Sequence, residues 1–338
     1  VTTADGALER ARRLAPQIAA SADEIERGRR LPGALVAALH EAGMFRLLLP
    51  RALDGSELDP ATFVRVTETL GRVDASTAWV VCQTAGCSMV AAYLQPAVAR
   101  EIFGGDPGGV LAWGPPTRSR AVVVDGGYRL SGTFTFASGG RHATWLGGQA
   151  PIVEADGTPR QRNGVTERRT LLFPAGRAPN SLYASGSGGV ALGLARSLLD
   201  DLLALARDKT PRGYSKTLRE SAVTQSQVAQ AEARLASARL YLLSSLEEIW
   251  REVDRTGALG LDQRVTIRLA ASHAIRTARE VADVAYHAAG GTAVYAANAF
   301  ERRFRDVHTV AQQLQGRDDH FETVGKHLLG LPADTTRL

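Results

Sequence analysis

Val228, Ala231, Leu235, Ala238, Leu242, Leu246 and Ile249 recur at spacings of three and four. On an α-helix these positions share one face, so about six turns carry a continuous apolar stripe that must be buried against other elements. Residues 262–289 and 300–313 also have helical composition, and the chain is helical in character from 190 onward. Long helices joined by short connections predict a four-helix C-terminal bundle.

The N-terminal third is helical too. Residues 5–30 have helical composition interrupted by Pro16, and 32–43 form a second helix with Pro32 in its first turn. The apolar segment Gly43–Pro50 is closed by proline. Asp59-Pro60 opens a third helix with Asp59 as N-cap, and Asp74-Ala75-Ser76-Thr77 separates two helices within 60–100. The glycine-rich run 104–109 reads as a hinge. Beyond it Val110–Trp113, Ala121–Val124, Leu146–Val153 and Thr170–Pro174 read as strands, and Glu154–Arg169 as a solvated loop. The fold class expected is mainly α with a central β-domain, divided into 1–105, 106–178 and 179–338.

Two stretches stand out as places for chemistry. In 125–145, Asp125-Gly126-Gly127 supplies positive-φ positions for a hairpin turn, and a strand follows. Ser138-Gly139-Gly140 then breaks the strand, with glycines that let backbone approach a flat or anionic group and a hydroxyl that can donate there. An ordinary hairpin with a serine-glycine turn fits the same residues. In the second stretch, Gly290-Gly291 ends a helix, and Arg302, Arg303, Arg305 and Asp306 follow within sixteen residues. A helix C-cap with an exposed basic helix is the plain alternative.

Composition narrows the classes. Hydrophobic content of 44% and charged content of 22% are those of an ordinary globular protein. The net charge is +5, but no long Lys/Arg run occurs and aromatics make up 6%, so a nucleic-acid groove with stacking residues is not indicated. Cys82 and Cys87 lie five residues apart in an apolar helical run and read as reduced core thiols, not as a disulfide or metal site. No secretory leader or membrane span is read, which leads to the expectation of a cytoplasmic protein.

The pattern G-G-Y-x-L-S-G-x-x-x-F-x-S-G, followed by His142-Ala143-Thr144-Trp145, resembles the middle β-domain of the acyl-CoA dehydrogenase superfamily. Within it the chain looks most like the oxygenase components of two-component flavin monooxygenases, of the p-hydroxyphenylacetate hydroxylase and dibenzothiophene monooxygenase type. The run from Gly43 through Trp79 is similar to the superfamily's N-terminal domain, and Gly290-Gly291 with the following arginines resembles its G-G…R-x-x-R-D signature. The resemblance implies an N-terminal helical domain, a β-barrel-like domain and the C-terminal bundle, assembled as a homotetramer. It implies reduced FMN or FAD as cofactor, with contacts from Trp113, Ser138, Gly139, Arg212, Gly290 and Gly291. Ser138 would lie beside flavin N5 and C4a, and the two glycines would border the flavin phosphate or adenosine across a subunit interface.

Departures from the family pattern carry information of their own. Many dehydrogenases of the superfamily carry a catalytic Glu shortly after the Arg-Asp pair; this chain has Gln312-Gln313-Leu314-Gln315-Gly316. A glutamine cannot abstract a proton at neutral pH, so α,β-dehydrogenation loses its base. The oxygenases often carry a histidine eight residues after the Arg, where this chain has Gln313; His308 and His320 are near enough to substitute. Ser138, His308 and Gln313 are thus the expected catalytic positions. Strands with a G-x-R-G-T-type flavin contact are missing where Ala178-Pro179-Asn180-Ser181 runs into a glycine-rich helix start. The segment is either deleted or skipped in the sequence; a skip is favoured because the barrel would otherwise be incomplete.

The resemblance implies that a separate flavin reductase supplies reduced flavin, that O2 forms a C4a-hydroperoxide, and that a small nucleophilic substrate is oxygenated, with no nucleic-acid or membrane partner. A flavin dehydrogenase with an unrecognised base and a non-catalytic scaffold are the alternatives.

Overall fold

The computed structural model describes residues 4–104, 109–134, 137–173, 183–256, 258–295 and 297–334. The junction at 178–179 and part of the hinge, 105–108, lie outside them. The chain forms two compact units: Pro32–Glu57 with Gln83–Pro179, and Thr3–Leu31 with Leu58–Cys82 and Asn180–Leu338.

The first unit holds α2 (Gly33–Glu41), the end of α4 (Ala75–Ser88), α5 (Pro96–Phe103) and the strands. The strands are β1 (Leu111–Trp113), β2 (Pro116–Val124), β3 (Gly127–Phe134), β4 (Trp145–Val153), β5 (Gln161–Arg162), β6 (Val165–Thr166) and β7 (Arg168–Phe173). β4 is the organising strand. It pairs parallel with β1 and β2 and antiparallel with β7, while β2 and β3 form an antiparallel hairpin. Of Asp125-Gly126-Gly127 only Gly126 takes a positive φ, +73°, and with Asp125 it makes the two-residue β2–β3 turn, Gly127 already pairing with Val124. The expected loop 154–169 is instead interrupted by the β5–β6 hairpin. Asn163 and Gly164, at φ +53° and +76°, make its two-residue turn, for which Asn-Gly is the preferred pair. One core packs Leu49, Phe103, Leu111 and Cys87 with Trp113 and Trp145. A second sits on the sheet, around Ala121, Ala150, Ile152 and Leu171.

The second unit holds α1 (Ala4–Gly28), α3 (Pro60–Gly71), α6 (Tyr183–Asp208), α7 (Ala222–Thr256), α8 (Leu261–Ala289), α9 (Phe300–Gln312) and α10 (Asp319–Leu328). α6 to α9 form the four-helix bundle, and α3 packs on α6. The stripe on α7 is buried at Ala231, Leu235, Ala238, Leu242, Leu246 and Ile249. The Asp59 cap falls where expected, the Thr62 N–H donating to Asp59 Oδ1 at 2.9 Å, and at the expected helix break the Thr77 N–H donates to Asp74 Oδ2 at 2.7 Å. α1 differs from expectation by running unbroken through Pro16. Pro16 is exposed, so the carbonyl it leaves unbonded can meet water, while Ala7, Ala11, Leu14, Ile18, Ala22 and Ile25 keep one buried face.

The glycine-rich start of α6 is explained by packing. A Cβ at Gly186 would lie 2.5 Å from the Phe63 ring, and one at Gly193 2.4 Å from the Glu68 carbonyl oxygen. Glycines here let α6 and α3 approach backbone to backbone. Cys82, buried and in no disulfide, sits at the same contact, 2.7 Å from where a Gly186 Cβ would be.

Candidate flavin-binding elements and the polar sites beside them

In the first unit, β1 and β4 set two of the expected cofactor residues. Trp113 ends β1 opposite Gly147 of β4, and the Gly114 N–H donates to the Gly147 carbonyl at 3.1 Å. The turn that carries Ser138 and Gly139 leads into β4. Within it the Gly140 N–H donates to the Ala137 carbonyl and the His142 N–H to the Gly139 carbonyl, both at 2.8 Å. Gly139 adopts φ +79°, and a Cβ at Gly140 would lie 2.8 Å from the Ala137 oxygen. This turn therefore admits only glycine at 140, and Ser138 stands half-buried in it. Thr144 fastens its far end to β1: its hydroxyl accepts from the Val110 N–H at 3.1 Å, and its own N–H donates to the Val110 carbonyl at 2.9 Å. Ser138, Gly139 and Trp113 thus belong to one corner of one sheet.

In the second unit, α8 ends at Gly290, whose φ of +57° and ψ of −148° suit glycine alone. Lys209, just past α6, reaches this turn. Its ammonium donates to the Ala289 carbonyl and, at 2.6 Å, to the Thr292 hydroxyl. The Asn298 amide donates to the Thr292 carbonyl at 2.9 Å and holds the turn from the other side. Arg212 lies three residues beyond Lys209 in an exposed turn with Gly213 at φ +85°. Lys209, which sequence reasoning did not single out, thus joins the end of α6 to the Gly290 turn, and Arg212 follows it three residues later in the chain. Burial lowers the Lys209 pKa.

The expected catalytic positions of this unit have defined partners. His308 on α9 places Nε2 3.0 Å from Asp283 Oδ1 on α8, and its ring packs on Phe304, centroids 4.3 Å apart. Phe304 in turn lies against Tyr286 at 4.2 Å. The Asp283 carboxylate thus orients the imidazole and leaves Nδ1 as its other ring nitrogen. Gln313 Oε1 accepts from the Gln315 N–H at 2.7 Å and caps the short 3-10 turn Leu314–Gly316. Gln315 is buried and accepts from the equally buried Arg268, whose pKa burial pushes down to about 10. His320, the other histidine considered, is buried with Nε2 2.7 Å from the Leu314 carbonyl oxygen.

The arginines after Gly290 pair within the unit: Arg302 with Asp23, Arg305 with Glu26, Arg303 with Asp201. They tie α9 to α1 and α6. Asp306, beside them, makes no hydrogen bond or ion pair among the described residues. Its pKa is pushed up to about 7, first by burial and then by the nearby Asp74 carboxylate. A cleft of about 650 Å³ in this unit, rimmed by Arg65, Arg72, Arg196 and Arg239, holds none of the expected site residues. Those arginines are paired to Glu247, Asp200, Glu232 and Glu68. Among the described residues there is no group of three potential metal ligands, and no helix long and apolar enough to cross a membrane.

Comparison with known proteins adds the family. The acyl-CoA dehydrogenase N-terminal domain matches residues 7–103, and the acyl-CoA dehydrogenase C-terminal domain matches 185–315. The chain is 27% identical to indole-3-acetate monooxygenase of Pseudomonas putida, over 91% of this chain and 89% of that protein. That alignment spans 348 positions, more than the 338 residues here, so the relative carries residues with no counterpart in this chain. The oxygenase component of p-hydroxyphenylacetate 3-hydroxylase from Acinetobacter baumannii is 23% identical over 97% of this chain and 90% of its own. Among solved structures, XiaF from Streptomyces in complex with FADH2 superposes with a TM-score of 0.88 at 22% identity, covering 97% of this chain and 96% of that one. TdsC from Paenibacillus sp. A11-2 with FMN and indole gives 0.73 at 18% identity, covering 98% and 99%.

Proposed function

Because the chain belongs to the acyl-CoA dehydrogenase superfamily, we infer that it is the oxygenase component of a two-component flavin-dependent monooxygenase. The observation that carries this reading is the amide stretch at 312–316. Where many dehydrogenases of the superfamily hold a carboxylate base, this chain has Gln312, Gln313 and Gln315, with Gln313 and Gln315 engaged as hydrogen-bond acceptors. The relatives aligned over nine-tenths of the chain are named as monooxygenases and hydroxylases.

The residues fit a flavin. The positive-φ glycine at 139 leaves no side chain next to Ser138 on the sheet corner, and Gly290 leaves none over the turn beside the Lys209 ammonium. Trp113, Ser138 and Gly139 would hold the ring system; Arg212, Gly290 and Gly291 would hold the phosphate-bearing chain. When bound, reduced flavin supplies the electrons that activate O2 for transfer of one oxygen atom to a nucleophilic substrate such as a phenol, an amine or a sulfur compound. The protein's own work is to exclude water, to donate from Ser138 Oγ toward the ring, and to hold or move a proton at His308 while Asp283 orients it. A separate flavin reductase delivers the cofactor, FMN or FAD. The assembly is a cytoplasmic homotetramer built on the bundle, with the chain divided at about 105 and 178.

Affinity for each redox state of flavin tests this reading. We expect weak binding of oxidised flavin, tight binding of reduced flavin, and NADH oxidation only when a reductase is added. A yellow purified protein that passes electrons from an acyl-CoA to a dye acceptor would make it a dehydrogenase. No flavin affinity in either state would make it a scaffold.

A further inference from the structure

We propose that the outer face of the β3–β2–β4–β7 sheet is a docking surface for an acidic protein, the flavin reductase that supplies this chain, with Arg120, Arg129 and Arg168 as its charged contacts. The proposal rests on the monooxygenase reading, which requires such a reductase.

Strand register fixes what this face carries. Ala121, Leu130, Ile152 and Leu171 belong to the core on one side of the sheet, so alternation turns their strand neighbours to the other side. There Val122 pairs with Arg129 on β3 and with Val153 on β4, and Pro151 pairs with Arg168 on β7. Ala121 opposite Ile152 sets Arg120 beside Pro151, and the Ser119 hydroxyl, donating to the Gln149 carbonyl at 2.9 Å, keeps β2 and β4 together at that level. Arg120 and Arg168 therefore flank Pro151 at about 10 Å from each other, two strand spacings, with Arg129 beyond Val122. All three arginines are exposed, and Val122, Pro151 and Val153 between them are half-buried.

The charge on this face is not balanced locally. Residues 109–173 hold eight arginines and four acidic residues, a net charge of +4 in a chain whose total is +5. Three of the four carboxylates are engaged: Glu154 with Arg160, Glu167 with Arg169, and Asp156 with the Thr158 hydroxyl. The fourth, Asp125, stands in the β2–β3 turn. Arg120, Arg129 and Arg168 make no ion pair among the described residues. An apolar strip edged by unpaired guanidiniums has the composition of a protein interface whose partner is acidic. A second copy of this chain does not fit, because a two-fold axis would lay the same arginines against one another. A patch four strands wide, about 15 Å, suits a weak and transient encounter. Delivery at close range also has a chemical reason, since reduced flavin crossing bulk solution meets O2 on the way.

The probe is the NADH-dependent flavin reductase, purified by that activity from the cells that make this protein. Its binding is measured by interferometry to the wild type and to three triple variants at Arg120, Arg129 and Arg168, all Arg→Glu, all Arg→Gln and all Arg→Lys. The expected result is micromolar binding by the wild type, a loss of about tenfold or more in the Glu variant, a smaller loss in the Gln variant and little change in the Lys variant. Raising the salt from about 20 to about 300 mM should weaken the wild type as well. The Gln variant decides the matter if charge reversal lowers the melting temperature. A wild type that does not bind the reductase, or Glu and Gln variants that bind it as tightly as the wild type, overturns the proposal. Loss of binding to a mixed-sequence oligonucleotide with reductase binding kept would make the face a nucleic-acid surface and overturns it too. The reading beneath is tested separately with dithionite-reduced flavin and no reductase. The wild type and all three variants should bind it alike, and a wild type that binds none would sink the monooxygenase reading whatever the docking result.

Discussion

The sheet corner at Ser138 and the bundle end at Gly290 are both glycine turns, yet they need glycine for different reasons. At 140 the cause is crowding: the backbone folds back so closely that a Cβ would meet the Ala137 carbonyl oxygen. At 290–291 there is no crowding. The backbone conformation demands glycine at 290, and the space left open exposes a lysine. One turn is shaped by packing, the other by backbone conformation.

The most disruptive way to probe this difference is Gly140→Ala. Forcing a methyl into a 2.8 Å contact with backbone oxygen should cost about 2–3 kcal/mol, read as a lower denaturation midpoint. A melting curve like that of the wild type would mean that the sheet turn is no more constrained than the helical one.

Asp306 probes the charged side. Its folded pKa of about 7 lies above the usual aspartate value of 3.8, so the folded protein keeps a proton that the unfolded chain has lost between those pH values. Stability from this group is therefore highest at or below about pH 4, falls as pH rises to about 7, and is flat beyond. Asp306→Asn should remove a penalty on the order of 2 kcal/mol at pH 8 and change little at pH 4. Equal effects of the substitution at both pH values would show that Asp306 is not held protonated by burial and Asp74.

A smaller effect is expected at Ser138, whose hydroxyl is worth roughly 0.5–1.5 kcal/mol if it donates toward the flavin ring. Ser138→Ala should raise the hydrogen peroxide released per flavin oxidised severalfold, with fold and reduced-flavin affinity kept. Unchanged peroxide release would leave Ser138 as a turn residue only. The smallest effect is Gly291→Ala. With a negative φ and nothing near its Cβ, it should leave stability within about 0.5 kcal/mol or raise it slightly. A large loss there would erase the contrast with Gly140.

Much of the fold was legible in sequence because its causes are local. Asp59 and Asp74 cap the helices that follow them, and the α7 stripe is buried as its spacing requires. Asn163-Gly164 carried an equally local hairpin signal that the polar surroundings of 154–169 obscured. Trp113, Ser138 and Gly290 stood out by motif, but what surrounds them did not. Lys209 meets Ala289 across 80 residues, Asp283 meets His308 across 25, and Arg268 meets Gln315 across 47. Each joins separate helices, and no periodicity within one helix reports which neighbour it faces. The arginines near 303 read as an exposed basic helix or a cofactor signature. Their carboxylate partners on α1 and α6 emerge only from the packed bundle.

The central claim is that this protein takes up reduced flavin and controls its reaction with O2. Mixing the anaerobic protein–reduced flavin complex with O2 in a stopped-flow instrument, while following the return of oxidised-flavin absorbance at about 450 nm, tests it most directly. The account predicts that this return is delayed at least about tenfold relative to free flavin, with the delay shortened in Ser138→Ala. A return as fast as that of free flavin, in a protein shown to be saturated with reduced flavin, would contradict it.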